Sequence, residues 1–236
     1  MTVRSKALQR TQRVFMHMTP SHVVKARLTK RTIADFAEKV GLVYFGYVNQ
    51  RDDDHKLVRG HTVSSSHIDN HYCVGSLRGY DVSMVSREDV VQTHTRKNQR
   101  YHWLICTFDL HTRMDVPHLY VGHRNREEAF RASYEQLHAI DIGTHATYPK
   151  DFTRDYVVYG IPGESIEIQQ TITPQVAEVI SRHFQQASIE IEDNTVYLYI
   201  ESQHPSGVLL EKMLSNGLWL AEAVDAAYTA QVQSVD

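Results

Sequence analysis

The sequence predicts an α+β fold, in which an antiparallel β-meander precedes a smaller half of mixed helices and strands. A basic amphipathic helix is expected at the N-terminus and a long helix at the C-terminus. Two periodicities predict this arrangement. Apolar and aromatic residues alternate along short segments between residues 42 and 122, which is the period of a strand. Apolar residues recur at spacings of three and four before residue 20 and again after Ser206, which is the period of a helix.

The length of 236 residues fits one large domain or two small ones, because domains commonly have roughly 100 to 200 residues. We predict a basic helical segment at 1–31, a sheet region at 32–124 and a helix and strand region at 125–236. The last two regions form one continuous domain in the alternative interpretation.

The N-terminal segment carries an uneven share of the charge. Residues 1–31 contain eight Lys and Arg residues and no acid, whereas the other 205 residues contain 17 basic and 28 acidic ones. An apolar stripe lies opposite a basic face that includes Lys6, Arg10 and Arg13, and Pro20 ends the pattern. Such a helix can bind an acidic protein, a membrane surface or nucleic acid. Alternatively, it packs against the acidic remainder of its own chain or of a partner subunit, and its composition also suits an organellar transit segment.

The sheet region follows a short helix expected at 33–39. Residues 42–48 are predicted to form the first strand and residues 57–63 its partner, across a polar turn. Further strands are expected at 71–77, 80–85, 101–110 and 118–122, with a tight turn at Arg78 and Gly79. Residues 101–110 are apolar on both faces, which predicts a central strand covered by helices on both sides.

The second half is predicted to begin with a helix capped by Asn125 and to continue with a short strand at 156–159. Thr173 and Pro174 are a typical helix start, since Thr caps and Pro favours the first helical position. A hairpin is expected at 189–200, turning at Asp193 and Asn194.

The last helix, which Ser206 opens, has a regular apolar stripe. Leu210, Met213 and Leu220 belong to it and keep phase across Gly217, which favours one unbroken helix over a break at the glycine. We predict that these three side chains form the seam of a homo-oligomer. The alternative is packing of the stripe on the hairpin of the same chain.

From residue 101 to about 201, the order of motifs resembles an uncharacterised bacterial domain of unknown function. The motifs are Trp103–Asp109, Leu119–Val121, Asp151–Tyr159, Ile172–Pro174 and Ile189–Tyr199. Members of that family commonly carry membrane helices ahead of the domain, whereas this sequence has no apolar run of the roughly 18 residues that a membrane helix needs. We therefore expect no transmembrane segment. The resemblance implies a fold and no chemistry.

Histidine is the residue type with the most potential for chemistry, with 15 copies. His67 and His71 are four residues apart, so on a helix both imidazoles would lie on one face and could hold zinc. His111, His118 and His123 lie in and around one predicted hairpin and could converge on a metal. The alternatives are a loop between strands for the first pair and exposed histidines on an edge strand for the other three.

The remaining motifs favour a protein without catalytic activity. Cys73 and Cys106 lie in apolar strand-like runs, which is typical of buried thiols in a reducing cytoplasm. The sequence has no Gly-rich phosphate loop, nucleophile elbow or dinucleotide motif. We predict a cytoplasmic, non-enzymatic protein without a cofactor, which self-associates and binds a partner or a polyanionic surface through its basic N-terminal helix. The alternative is a His-rich zinc-binding protein or a metal-dependent hydrolase.

Overall fold

The α+β prediction is confirmed by a computed structural model, which describes residues 20–47, 67–92, 98–124, 137–143, 146–184 and 187–233. Five α-helices lie within these ranges: α1 (Pro20–Val40), α2 (Lys150–Asp155), α3 (Ser165–Thr171), α4 (Pro174–His183) and α5 (Gly207–Gln233). The same ranges contain nine strands: β1 (Val43–Tyr47), β2 (His67–Leu77), β3 (Tyr80–Gln92), β4 (Asn98–Asp109), β5 (Leu119–His123), β6 (His138–Ala139), β7 (Tyr156–Gly160), β8 (Ala187–Glu192) and β9 (Thr195–Glu201).

The nine strands form one sheet in the order β1-β2-β3-β4-β9-β8-β5-β7-β6. The meander from β1 to β4 agrees with the sequence prediction, but the fifth strand does not continue it. Instead β9 pairs with β4, from Thr195 opposite Asp109 to Glu201 opposite Trp103. Strand β5 lies between β8 and β7. Both halves of the chain therefore contribute to the same sheet.

Helix α1 is longer than the sequence pattern indicated. It runs from Pro20 to Val40, so the short helix expected at 33–39 is its last part. Pro20 is the first residue of this helix, a position where the missing backbone N–H costs nothing. Within the parts of the chain that the structure describes, no helix combines the length and the apolar character needed to span a membrane.

Several predicted features lie outside the described residues. They are the basic side chains Lys6, Arg10 and Arg13, the strand expected at 57–63 and the helix expected to begin at Asn125. The described partner of β1 is β2, which is paired with it from Val74 opposite Val43 to Asn70 opposite Tyr47.

One face of the sheet packs against α5 and α1. Leu104, Cys106 and Phe108 of β4 alternate toward this face and join the main core. The stripe residues Leu210, Met213 and Leu220 of α5 are at most 1 % exposed and lie in that same core. The seam predicted for a homo-oligomer is therefore buried against the chain's own sheet, and these three side chains are not available to a partner. Self-association itself stays a prediction.

Helix α5 is unbroken across Gly217, as the phase of its stripe predicted. A Cβ atom at Gly217 would lie 2.0 Å from the ring of Phe108. The glycine therefore allows the helix backbone to approach the centre of β4, which is the reason why a residue with low helix propensity occurs here.

Two tight turns lie at one end of the sheet. Arg78 and Gly79 join β2 to β3, while Asp193 and Asn194 join β8 to β9, and all four residues have positive φ. Two successive positive φ values are typical of the type I′ turns that match the twist of a hairpin. The structure thus confirms both turns that the sequence predicted.

The second face of β4 is aromatic. Tyr101, Trp103 and Ile105 are buried there with Tyr120 and Tyr199 in a smaller core. Helix α5 packs on the other face, where Gly217 meets Phe108. A helix on the second face stays a prediction, because the helix expected to begin at Asn125 lies outside the described residues. We call this aromatic side of the sheet the second face.

Candidate functional site

An open cavity of about 650 Å³ lies on the second face, beside the two tight turns. Its lining includes three carboxylates, three hydroxyls and two phenols: Asp81, Asp109, Asp193, Ser83, Thr107, Thr195, Tyr72 and Tyr197. We call this cavity the acidic pocket. Among its described lining residues there is no Lys or Arg.

Strand register brings these side chains together. Ser83 of β3 is paired with Thr107 of β4, and their hydroxyl oxygens are 2.6 Å apart. Asp109 at the end of β4 is paired with Thr195 at the start of β9, whose hydroxyl donates a hydrogen bond of 3.0 Å to Asp109 Oδ1. Because these residues alternate with core residues such as Phe108, they all point to the second face.

The electrostatic environment of the pocket is negative. Burial and then the charges of Glu190, Glu192, Asp109 and Asp193 raise the pKa of Tyr197. The phenol therefore remains a neutral hydrogen-bond donor at physiological pH. A positively charged ligand would be stabilised by this environment, and an anion would be repelled.

A second cluster lies further along the same face, where β5 pairs with β8. The imidazole Nε2 of His118 is 3.2 Å from Oε1 of Glu190. Glu192 follows Glu190 by two residues in β8, so both side chains project from the same face. One potential ligand atom from each of His118, Glu190 and Glu192 lies within 4.8 Å of those of the other two. We call these three residues the His118 cluster.

Burial and hydrogen bonds fix the centre of this cluster. Glu190 is completely buried, and its Oε2 accepts a hydrogen bond of 2.7 Å from the phenol of Tyr199. Burial lowers the pKa of His118, but the hydrogen bond to Glu190 and the charges of Glu190, Glu192 and Asp193 outweigh it, so the pKa lies above its ordinary value. Two carboxylates and one imidazole leave this cluster negative even when the imidazole is protonated.

The structure does not provide the helix on which His67 and His71 would share one face, nor the loop between strands that was the alternative. Both residues belong to the extended strand β2, where four residues span about 13 Å. The side chain of His67 lies outside the described part of the chain. His71 sits at an irregularity of the strand with φ of 57°, and its Nδ1 is 2.8 Å from the hydroxyl of Tyr44.

The other predicted histidines do not converge. The ring of His111 stacks on Tyr80 with a centroid distance of 4.1 Å, and its Nε2 is 3.0 Å from the carbonyl oxygen of Gly79. The ring of His123 contacts that of Tyr156 edge to face. Among the residues predicted as metal ligands, the structure places His118 with two carboxylates, and metal binding itself stays a prediction.

Sequence reasoning found His118 but missed its partners. The sequence pattern assigns Glu190 and Glu192 to a hairpin strand, and no local pattern connects them to a histidine about 70 residues earlier. The usable signal was the pair of acids alternating with Ile189 and Ile191. A Glu in an apolar strand is rarely buried without a partner.

The two cysteines are poor candidates for catalysis. Cys73 and Cys106 are free thiols in the core. Burial raises the pKa of Cys73 to about 12. Burial, with a smaller contribution from Cys73, also raises the pKa of Cys106. Both sulfurs therefore remain protonated, whereas a nucleophilic cysteine needs a thiolate.

Comparison with known proteins gives one similarity of fold. No protein-family model and no curated protein sequence matches the chain. The crystal structure of the mycobacterial trehalose monomycolate transport factor A, TtfA, superimposes with a TM-score of 0.57 at 12 % sequence identity. The similarity covers 83 % of this chain and 94 % of that one. At this identity the comparison shows a shared fold, and function has to be argued from the site.

Proposed function

We propose that the chain is a non-enzymatic binding protein whose acidic pocket binds the Lys or Arg side chains of a basic polypeptide segment. The observation that carries this proposal is the presence of Asp81, Asp109 and Asp193 around one cavity with no Lys or Arg in its described lining.

The chemistry of the lining fits a cationic side chain. Carboxylates accept strong hydrogen bonds from guanidinium and ammonium groups. The rings of Tyr72 and Tyr197 add aromatic surface, on which a cation and its aliphatic stem can rest. The cavity volume of about 650 Å³ lies in the range of small-ligand sites and is larger than one side chain, which favours a segment with several basic residues.

The chain itself contains a segment of this kind. Residues 1–19 include Arg4, Lys6, Arg10 and Arg13 and no acid. We propose that this segment enters the acidic pocket of the same chain or of a second copy, and the second case would produce self-association. A cytoplasmic location belongs to the same proposal, because both thiols are unpaired. The proposal also includes a relationship to the uncharacterised bacterial domain that the sequence motifs resemble. The structurally similar protein is named a transport factor, which accords with a binding role, but the proposal does not depend on that name.

The proposal is tested by titrating a labelled peptide of residues 1–19 into the full chain and measuring fluorescence anisotropy. We expect salt-sensitive binding that weakens by about tenfold or more when Asp81 and Asp109 are both replaced by Asn, because each exposed ion pair contributes up to about 1 kcal/mol. Asp35→Asn is the matched control, since Asp35 is an exposed acid on α1, away from the pocket lining.

Three outcomes are decisive. Equal affinity of the pocket variant and the control would overturn the proposal. Tight binding of spermidine with no binding of the peptide would reject a polypeptide ligand in favour of a small amine. A chain that lacks residues 1–19 is expected to bind the added peptide more tightly than the full chain, because its own segment no longer competes.

A further inference from the structure

The His118 cluster has the composition of a metal site, independently of the acidic pocket. It combines one imidazole nitrogen with two carboxylates, and both are common zinc ligands. His118 immediately precedes β5, and Glu190 and Glu192 belong to β8, the strand with which β5 pairs. The two carboxylates are therefore held by the backbone of the sheet, and the histidine adjoins it.

The geometry needs little rearrangement to accept an ion. Ligand atoms around tetrahedral zinc lie about 3.3 to 3.6 Å apart, given metal–ligand distances of about 2.0 to 2.2 Å. His118 Nε2 and Glu190 Oε1 already lie 3.2 Å apart, and all three candidate ligand atoms are within 4.8 Å of one another. The half-buried Glu192 side chain would have to supply the remaining adjustment.

The residues around the cluster include a hydrogen-bond donor that orients one of the candidate ligands, as metal sites usually have. Tyr199 donates its phenolic hydrogen to Glu190 Oε2, which leaves Oε1 toward His118 and fixes the orientation of the carboxylate. Such outer hydrogen bonds commonly contribute about 10- to 100-fold to metal affinity. The negative charge of Asp193 is close enough to affect His118, and it further favours a cation.

We propose that His118, Glu190 and Glu192 bind one Zn²⁺ ion, with Tyr199 positioning Glu190 and at least one coordination position left for water or a ligand. Three protein ligands with an open position are typical of zinc sites that interact with other molecules, whereas structural zinc sites usually have four protein ligands. This inference does not rest on the proposed binding of a basic segment.

The test uses the full chain, stripped of metal with a chelator and titrated with Zn²⁺ against a chromophoric competitor. We expect the wild type to have one site whose affinity for Zn²⁺ is clearly higher than that of any weak binding by surface histidines. Glu192→Gln and His118→Gln should each weaken this site by at least about tenfold, and Tyr199→Phe by roughly tenfold. His111→Asn is the matched control, because His111 contacts Gly79 and Tyr80 and is not part of the cluster.

A second measurement does not depend on any variant being folded. In wild-type protein, histidine-selective ¹H–¹⁵N spectra should show that the ring nitrogen signals of His118 move first on addition of Zn²⁺. Ca²⁺, which prefers six to eight oxygen ligands, should not displace the zinc.

The inference is overturned if Zn²⁺ binds wild type, Glu192→Gln and His118→Gln with the same affinity, or if the signals of other histidines move first. If the His118→Gln variant does not fold, the Glu192→Gln variant and the spectra of the wild type decide whether the cluster binds Zn²⁺. Failure of this site leaves peptide binding by the acidic pocket unaffected. Asp81→Asn with Asp109→Asn should leave zinc affinity within about twofold, since neither residue belongs to the cluster.

Discussion

Arg87 and Asp69 form a buried ion pair with two parallel hydrogen bonds across β2 and β3. Arg87 Nε is 2.6 Å from Asp69 Oδ1, and a terminal guanidinium nitrogen is 2.7 Å from Oδ2. Both side chains are at most 2 % exposed. Asp69 of β2 is paired directly with Arg87 of β3, on the N-terminal side of the irregularity of β2 at His71. The pair therefore fixes the register of the first part of β2.

We expect Arg87→Met to destabilise the chain by about 3–5 kcal/mol, because it leaves the carboxylate of Asp69 buried without its partner. Combining it with Asp69→Leu should restore most of that loss. The measurement is the free energy of unfolding in urea for the single variants and the double variant. Arg100→Met is the control, since its pair with Glu88 is exposed and should contribute less than about 1 kcal/mol. Equal losses at Arg87 and Arg100 would contradict the assignment.

Gly217→Ala tests the close approach of α5 to β4. Alanine has the higher helix propensity by about 1 kcal/mol, but its Cβ would overlap the fully buried ring of Phe108. Overpacking of this kind costs up to about 3 kcal/mol, so we expect a net loss of about 2 kcal/mol in thermal or urea unfolding. Ser215→Ala, at an exposed position of the same helix, should be neutral or stabilising. A stabilised Gly217→Ala variant would show that the contact is not tight.

His71 is expected to make stability fall as the pH decreases. Burial and then the charge of Lys30 lower the pKa of His71 in the folded chain. Below the unfolded value of about 6.5 the unfolded chain takes up a proton that the folded chain does not bind, so the free energy of unfolding decreases from there toward the lowered pKa. His71→Asn should flatten this part of the pH profile, and asparagine tolerates the left-handed backbone at this position. A His71 ring that titrates at or above 6.5 by NMR would refute the expectation.

The basic N-terminal segment is expected to bind anionic surfaces when the acidic pocket does not occupy it. Replacing Lys6, Arg10 and Arg13 by Gln should abolish salt-sensitive binding of the full chain to vesicles that contain an anionic lipid. Asn at both Asp81 and Asp109 should instead strengthen vesicle binding, because the segment loses its competing site. Co-sedimentation measures both effects. Unchanged binding in the Gln variant would exclude the segment as the membrane-binding element.

Local signals in the sequence predicted local structure well. Thr173 caps α4 by accepting a hydrogen bond from the backbone N–H of Val176, and Ser206 does the same for α5 through the N–H of Leu209. The turn at Asp193 and Asn194 needs positive φ at both residues, which these residue types tolerate. Each of these features depends on residues that are near each other in the chain.

Strand order and the candidate sites depend on distant residues, and the sequence pattern does not encode them. The alternation in residues 103–109 predicts a strand, but not that Thr195 will lie opposite Asp109. The spacing of His67 and His71 fits a helix and a strand equally, and the strand pairing of β2 with β3 decides between them. For the same reason the sequence indicated His118 as a candidate ligand but did not indicate the two carboxylates beside it. These come from β8, which pairs with β5 only in the folded sheet.

The position of β5 between two strands that follow it in the chain has a consequence for synthesis on the ribosome. Strand β5 can pair with its two neighbours only after β7 and β8 have left the ribosome. Strand β4 can pair with its second neighbour only once β9 has been made. A nascent chain that ends before Glu201 therefore exposes unpaired strand edges rich in aromatic residues, which are prone to aggregation. We expect this protein to become compact and protease-resistant late in translation, and to depend on chaperones until the last strand is in place.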